Sequence, residues 1–430
     1  MNNTNKAATA EEAVRIAAGK AIEATLQNTF AVGGILVDNR RGTVICALHN
    51  NVLESFEGSK LFLLHDPTAH GERQIVDWYF KNRKRLSLPD PAGLTVITTL
   101  DPCAMCAGAL LTAGLNVGVS GSDDYAGINY NLSFQFPSVP AKWKKVAQST
   151  FSYYGVDAPV KRAFQGGKGA AFAKQSVSAH TYFLTEAIFE SSVNSVRVLD
   201  NNSGKDPSNL KNPKGLPSSS KVRQALLDTC SEAFSVACPE PRLPGKEIAD
   251  VLLSAAKKAH RRGAAFNSVA FFDPFGNLLL CSGGAEDRSP IRTAFMEVTR
   301  AYAHVRWVLM NHRDKAVRDQ ASSVLTHPKF GTFVFLYAPD PNAPQGLMTM
   351  GAYGSTMEGP IPESFPSNFQ YVLLPDGASQ AEVSEMAMKL PPFYTTGVQV
   401  APTQVFDRDL IDETRSTVGE YLPRARTSAA

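Results

Sequence analysis

Apolar positions along this chain recur in two rhythms. Residues 8–27 repeat at helical spacing, and "AVGGILVDN" and "GTVICALHN" then read as two strands joined by a turn around Arg40 to Gly42. Helical spacing returns with Ile75, Val76, Tyr79 and Phe80, while Arg73, Asp77 and Lys81 fall on the solvent side. The β-branched run "LTVITTL" predicts a strand ending at Asp101, and "PCAMCAGALLTAGL" a short helix. Asp101 suits its N-cap and Pro102 its first residue, because proline lacks an N–H that would have no partner there. "VGVSGS" supplies another strand, and this alternation argues for a layered α/β domain.

The second half runs through the same order. "KEIADVLLSAAKKAHRRG" is a helix, "NSVAFFDPFGNLLLCSGG" a hairpin, "IRTAFMEVTRAYAHVRWVL" a helix, and "GTFVFLYAPDP" a strand running into a helix start. One fold used twice is the expectation. Between the halves, "FQGGKGAAFAKQ" is rich in glycine, a helix is expected around residues 178–196, and "NNSGKDPSNLKNPKGLPSSS" has linker composition. The division expected is therefore 1–200, a linker 201–220, and 221–430.

With 430 residues and 43% hydrophobic content, the chain is long enough to bury more than one core. A formal charge of +3, from 43 basic and 40 acidic residues, is too near balance to imply by itself a dedicated binder of nucleic-acid backbones. The start lacks the apolar core of a secretory signal, and no stretch approaches the roughly 18 apolar residues of a membrane span. A cytoplasmic location without membrane contact is the expectation. Six cysteines are too sparse for a disulfide framework, so the close pair Cys103 and Cys106 suggests metal or redox chemistry. Cys46, Cys230, Cys238 and Cys281 read as small buried hydrophobes.

Thiolate and imidazole are preferred zinc ligands, and a catalytic zinc site keeps three protein ligands with a fourth position for water. His70, Cys103 and Cys106 fit that count. Two cysteines three apart at a helix start share a face, and the N–H dipoles there favour the thiolate. Glu72 would project beside the metal without being a ligand, placed to accept a proton from water and return it to a ring nitrogen and a departing amine. That combination suits hydrolytic deamination of an aminated heteroaromatic ring. The histidine–glutamate pair has no role in thiol exchange, which argues against redox chemistry.

The pattern H-x-E followed by P-C-x-x-C, present as "HGE" and "PCAMC", resembles the signature of the zinc-dependent cytidine and nucleobase deaminase superfamily. "DPTAHGE" and "LDPCAMCAGALL" are similar to tRNA adenosine deaminases and guanine deaminases, and "HGE", "TTL" and "VGGILVDNRRGTV" to fungal-type cytosine deaminases. The resemblance covers roughly residues 10–125. It implies a three-layer α/β/α fold with a mixed five-stranded sheet, which the repeated order would place twice in tandem. It further implies one zinc per chain on His70, Cys103 and Cys106, Glu72 as the catalytic proton shuttle, and Asn50 holding the base, with Asn51 leaving the register open. Two departures, Gly71 for the usual alanine and Asp101 for the usual glutamate, loosen any subfamily assignment.

If the halves are repeats, Thr293 stands for the histidine, Phe295 for the glutamate, and Asn342 and Gln345 for the cysteines. None can rebuild a thiolate-rich site, so residues 221–430 read as a degenerate pseudo-deaminase domain. By the resemblance it would pair with the first domain within the chain, with a homodimer also open. Near the site, Phe134, Phe136 and Trp143 could stack on a base or plug the interface between domains, and "KNRKR" (81–85) could contact phosphates or mark a solvated helix end. The expected function is a zinc-dependent hydrolase of C–N bonds that deaminates a nucleobase, nucleoside or related small aminated heterocycle. The alternatives are a nucleic-acid deaminase acting on tRNA or single-stranded DNA, and a zinc-stabilised binding protein without turnover.

Overall fold

The computed structural model describes residues 6–55, 62–157, 161–200, 207–357, 359–362 and 365–421. Strand Gly33–Asp38 runs antiparallel to Val44–His49 on one side and to Leu94–Thr98 on the other. Asn116–Val119 and Phe151–Tyr153 continue the sheet in parallel, and the short Gln165–Gly166 closes it antiparallel. Five strands were expected and six are present. The sixth comes from the glycine-rich segment: Gly166 has φ 144°, and a Cβ there would lie 2.5 Å from the Phe151 carbonyl oxygen, so only glycine lets the backbones meet.

Successive strand residues face opposite layers. Ile35 and Val37 pack on helix Ala10–Thr25 and on Tyr154 and Val177, whereas Leu36 packs with Ile75, Val76 and the cysteine-bearing helix Ala104–Ala113. The first half is thus an α/β/α sandwich. The second sheet has five strands in the same spatial and directional order, Leu278–Gly283, Ser268–Phe272, Thr332–Tyr337, Phe369–Leu373 and Thr403–Gln404. Helices Ala249–His260 and Arg408–Tyr421 cover one face of it, and Ala294–Met310 and Pro344–Met357 the other.

The inner helical layers of the two halves form one continuous core. Helix Ala104–Ala113 buries all of its residues except Thr112, because "AMCAGALLTA" is apolar nearly all round. It lies against Pro344–Met357 at glycine contacts: a Cβ on Gly108 would be 2.5 Å from Met348 N, and one on Gly351 would be 2.1 Å from Met105 N. In the segment expected as a linker, residues 201–206 lie outside the described residues. Lys211 N donates to Ser323 O, Asn277 Nδ2 to Asn212 Oδ1, and Ser220 Oγ to Gln320 Oε1, which ties 211–220 into the second half. Among the described residues, no helix is long and apolar enough to cross a membrane.

Candidate metal and catalytic site

Two helix starts bring the site together. His70 is the residue before helix Gly71–Asn82, and Cys103 the residue before Ala104–Ala113; each has extended backbone and neither caps its helix with its own side chain. The expectation that Asp101 would be the N-cap and Pro102 the first helical residue is corrected here, because the helix begins at Ala104. Asp101 instead turns inward, accepting from Tyr153 Oη at 2.6 Å and Asn129 N at 2.8 Å, and its burial pushes its carboxyl well up. These bonds brace the cysteine turn, and both cysteine side chains are released to face the histidine.

His70 Nδ1 lies 3.5 Å from Cys103 Sγ, and the donor atoms of His70, Cys103 and Cys106 all fall within 4.8 Å of one another. A tetrahedral zinc with ordinary Zn–S and Zn–N bonds places its sulfur and nitrogen ligands about 3.6 Å apart. The donor set and its spacing therefore fit a metal ion. Cys103 is held well below the usual thiol range, first by the neighbouring Cys106 and then by His70, while burial pushes Cys106 well up. One sulfur is thus prepared as a thiolate before any metal competes for it.

Glu72 is 3% exposed. Its Oε1 accepts from Thr98 Oγ1 at 3.1 Å and its Oε2 from Cys106 Sγ at 3.5 Å. Burial raises its proton affinity, and the charge of Cys103 adds to the effect. A carboxyl held this way binds a proton more tightly than a solvated one does.

Asn50 is buried beside the site, and its Oδ1 accepts from Gly71 N at 2.7 Å, so its acceptor ties the end of strand Val44–His49 to the histidine helix. The Oδ1 of Asn51 is buried without a partner. Phe136 is fully buried among Phe134, Phe151 and Tyr153, so it offers no face to a ligand; this corrects its candidacy as a substrate contact. Phe134 and Trp143 are half-buried at the edge of the same cluster. In "KNRKR", Lys81, Lys84 and Arg85 are exposed, Arg85 bonds to Asn82, and Arg83 lies over the rings of Tyr79 and Phe80. Those contacts belong to a solvated helix end.

Sequence reasoning missed two site residues. Thr98 closes the strand in "LTVITTL" and aligns Glu72. Tyr394, 1% exposed, comes from the second half; burial raises the proton affinity of its hydroxyl, and the charge of the nearby Cys103 adds to the effect. Its turn Phe393–Gly397 is anchored to the first half by Phe393 N on Tyr125 O at 2.7 Å, with the two rings 5.7 Å apart. Nothing in the local pattern "PPFYTTG" signals that contact, which joins residues about two thirds of the chain apart.

In the second half, Thr293 precedes helix Ala294–Met310 as His70 precedes its own, and Phe295 packs against Phe333 and Phe335. The other pair shifts by one residue. Helix Pro344–Met357 starts after Ala343, so Ala343 and Gly346, rather than Asn342 and Gln345, stand where the cysteines do.

A sandwich with thiolate and imidazole donors at two helix starts, beside a buried carboxyl, defines a metal-binding α/β class. Residues 7–120 match the cytidine and deoxycytidylate deaminase zinc-binding region. The chain is similar to a tRNA-specific adenosine deaminase of Haemophilus influenzae, with 31% identity over 115 residues that make up 27% of this chain and 59% of the relative. It thus spans about three fifths of that relative's length. Among solved structures it is similar to a tRNA:A34 deaminase, at 24% identity and TM-score 0.21 over 27% of this chain and 80% of that one. A guanine deaminase from Nitrosomonas europaea matches at 12% identity and TM-score 0.29 over 44% of this chain and 88% of that one.

Proposed function

We propose that this chain is a zinc-dependent hydrolytic deaminase that removes the exocyclic amino group of a free nucleobase, nucleoside or related small aminated heterocycle and releases ammonia. The observation that carries this reading is Glu72, buried and hydrogen-bonded beside the donor triangle of His70, Cys103 and Cys106. When bound, zinc supplies the Lewis acidity that brings water to ionisation at a pKa of about 7. Glu72 takes the proton that water gives up, delivers it to a ring nitrogen, and supports its transfer to the leaving amine. Thr98 holds the carboxylate in place for both transfers. Asn50 would hold the base through the part of its amide that Gly71 does not use.

Under this reading the chemistry is confined to the first half, and residues 221–430 form a pseudo-deaminase domain. Thr293, Phe295, Ala343 and Gly346 offer no thiolate or imidazole, and a metal assay should find one zinc per chain. A second reading, deamination of a base within tRNA or single-stranded DNA, is favoured by one observation: the matched curated relative acts on tRNA. The solvated contacts of Lys81 to Arg85 give that reading no added support.

The test is an ammonia-release screen over bases, nucleosides, nucleotides, tRNA and single-stranded DNA. Glu72→Gln is expected to retain zinc and to lose at least about 100-fold in turnover. Unchanged turnover in that variant would sink the mechanism. Activity restricted to tRNA or DNA, with a steep salt dependence, would replace the first reading by the second. Zinc binding without ammonia release from any member of the panel would leave a zinc-stabilised binding protein.

A further inference from the structure

Between the two halves lies a cleft of about 580 Å³, within the range of small-molecule sites. It opens on the side of helix Gly71–Asn82 away from Glu72: at about 100° per residue, Asp77, Trp78 and Lys81 point a third of a turn or more from the carboxylate. The cleft is therefore separate from the metal site.

Its charges fall into cancelling pairs with a remainder. Arg73 lies 2.5 Å from Asp77 and 3.3 Å from Asp66, and Arg300 lies 3.0 Å from Asp66 and 3.4 Å from Asp77. Two guanidinium groups on two carboxylates leave a neutral floor. Arg292 chelates Glu297 at 2.9 and 2.6 Å, which is neutral again. Lys81, from the first half, and Arg288, from the second, remain at the rim, and neither forms an ion pair or side-chain hydrogen bond among the described residues. Arg292 Nη1 and Arg300 Nη2 are also free of these pairings. Among the lining residues the remainder is two positive charges, two further N–H donor groups and one aromatic wall, Trp78, with Asp287 acting on Arg292 from outside the lining.

We propose that this cleft binds the dianionic phosphate group of a small phosphorylated molecule, with Lys81 and Arg288 closing on it from opposite halves. Arginine and lysine together satisfy phosphate oxygens by charge-assisted hydrogen bonds. Trp78 provides a surface on which a planar ring stacks, so a mononucleotide uses the whole cleft and free phosphate only its charged end. A nucleic-acid strand needs a continuing row of cations, whereas the unpaired charge here is confined to two residues. The bound group bridges the halves, because Lys81 lies in the last turn of the helix that His70 begins and Arg288 lies on the approach to Thr293.

The test is calorimetric titration of the full-length, zinc-loaded protein with adenosine monophosphate, ribose 5-phosphate, inorganic phosphate, adenosine and a single-stranded oligonucleotide. Phosphorylated probes are expected to bind in the cleft, and any binding of adenosine, at the metal site, to be indifferent to substitutions at the cleft. Lys81→Ala with Arg288→Ala, both at exposed positions, is expected to weaken binding at least about tenfold. Glu72→Gln is expected to leave binding unchanged, so the outcome stands apart from that of the deaminase reading. The mononucleotide binding best, with the preference lost in Trp78→Ala, identifies a nucleotide as the source. Equal binding of all phosphorylated probes identifies free phosphate or a sugar phosphate. Adenosine binding weakened by the double substitution as much as its phosphate is, phosphate binding indifferent to the double substitution, or binding of the oligonucleotide alone would each overturn the proposal.

Discussion

At Cys103, contributions from distant parts of the chain meet on one sulfur. Cys106 and His70 stabilise it as a thiolate, Asp101 braces the turn that carries it, and Tyr394 approaches it from the second half. A hydroxyl beside a metal-ligating thiolate orients the ligand and tunes its basicity. Tyr394→Phe keeps the ring and removes the hydroxyl that faces Cys103, so zinc affinity should fall about 10- to 100-fold. Competition with a chromophoric chelator measures the loss directly, whereas a purely structural role would leave zinc affinity unchanged. The histidine and cysteines were legible in sequence because spacing at helix starts fixes which side chains share a face. Thr98 and Tyr394 were not, since each reaches the site only through sheet and domain packing.

The helical element that carries the cysteines is built for contact with another helix. Its residues are small and apolar, and Gly108 and the opposing Gly351 let the two backbones touch. Gly351→Ala would place a methyl group against Met105 N, a backbone atom that cannot turn aside. The helices must separate, at a cost of about 1–3 kcal/mol, measurable by chemical denaturation. Zinc retention should weaken in step, because Met105 lies between the two cysteines.

The hairpin turn Asp273 to Asn277 in the second half makes a prediction about pH. Burial pushes Asp273 up to about 6 from the ordinary 3.8, against the opposing hydrogen bonds of Asn277 and Phe275. The folded state therefore holds this proton more tightly than the unfolded chain. As pH rises from about 4 to 6 the unfolded state ionises first, so this residue's contribution to stability falls by about 3 kcal/mol and then levels off. Thermal melts of Asp273→Asn beside the parent chain should show that difference developing across this window and holding constant above it.

For the whole molecule, the two sandwiches share one interior, so neither half presents a finished surface alone. A fragment ending before residue 207 would expose the apolar helix Ala104–Ala113 and lose Tyr394. It is expected to self-associate and to retain little zinc-dependent ammonia release, as checked by size-exclusion chromatography and the activity screen. A soluble, fully active fragment would refute a supporting role for the second half.

The sequence alone determined the alternation of strands and helices, their repeated order, and the set His70, Glu72, Cys103 and Cys106. These follow from apolar periodicity and from short-range spacing, which a linear pattern records. Only the tertiary structure decided that Asp101 braces rather than caps, that Phe136 is core, and that the second half's register slips by one residue at Ala343. It also decided that Tyr394 reaches Cys103 and that Lys81 and Arg288 face one cleft. Each of these depends on burial or on contacts between residues far apart in the chain, and such contacts leave no periodic trace in the order of residues.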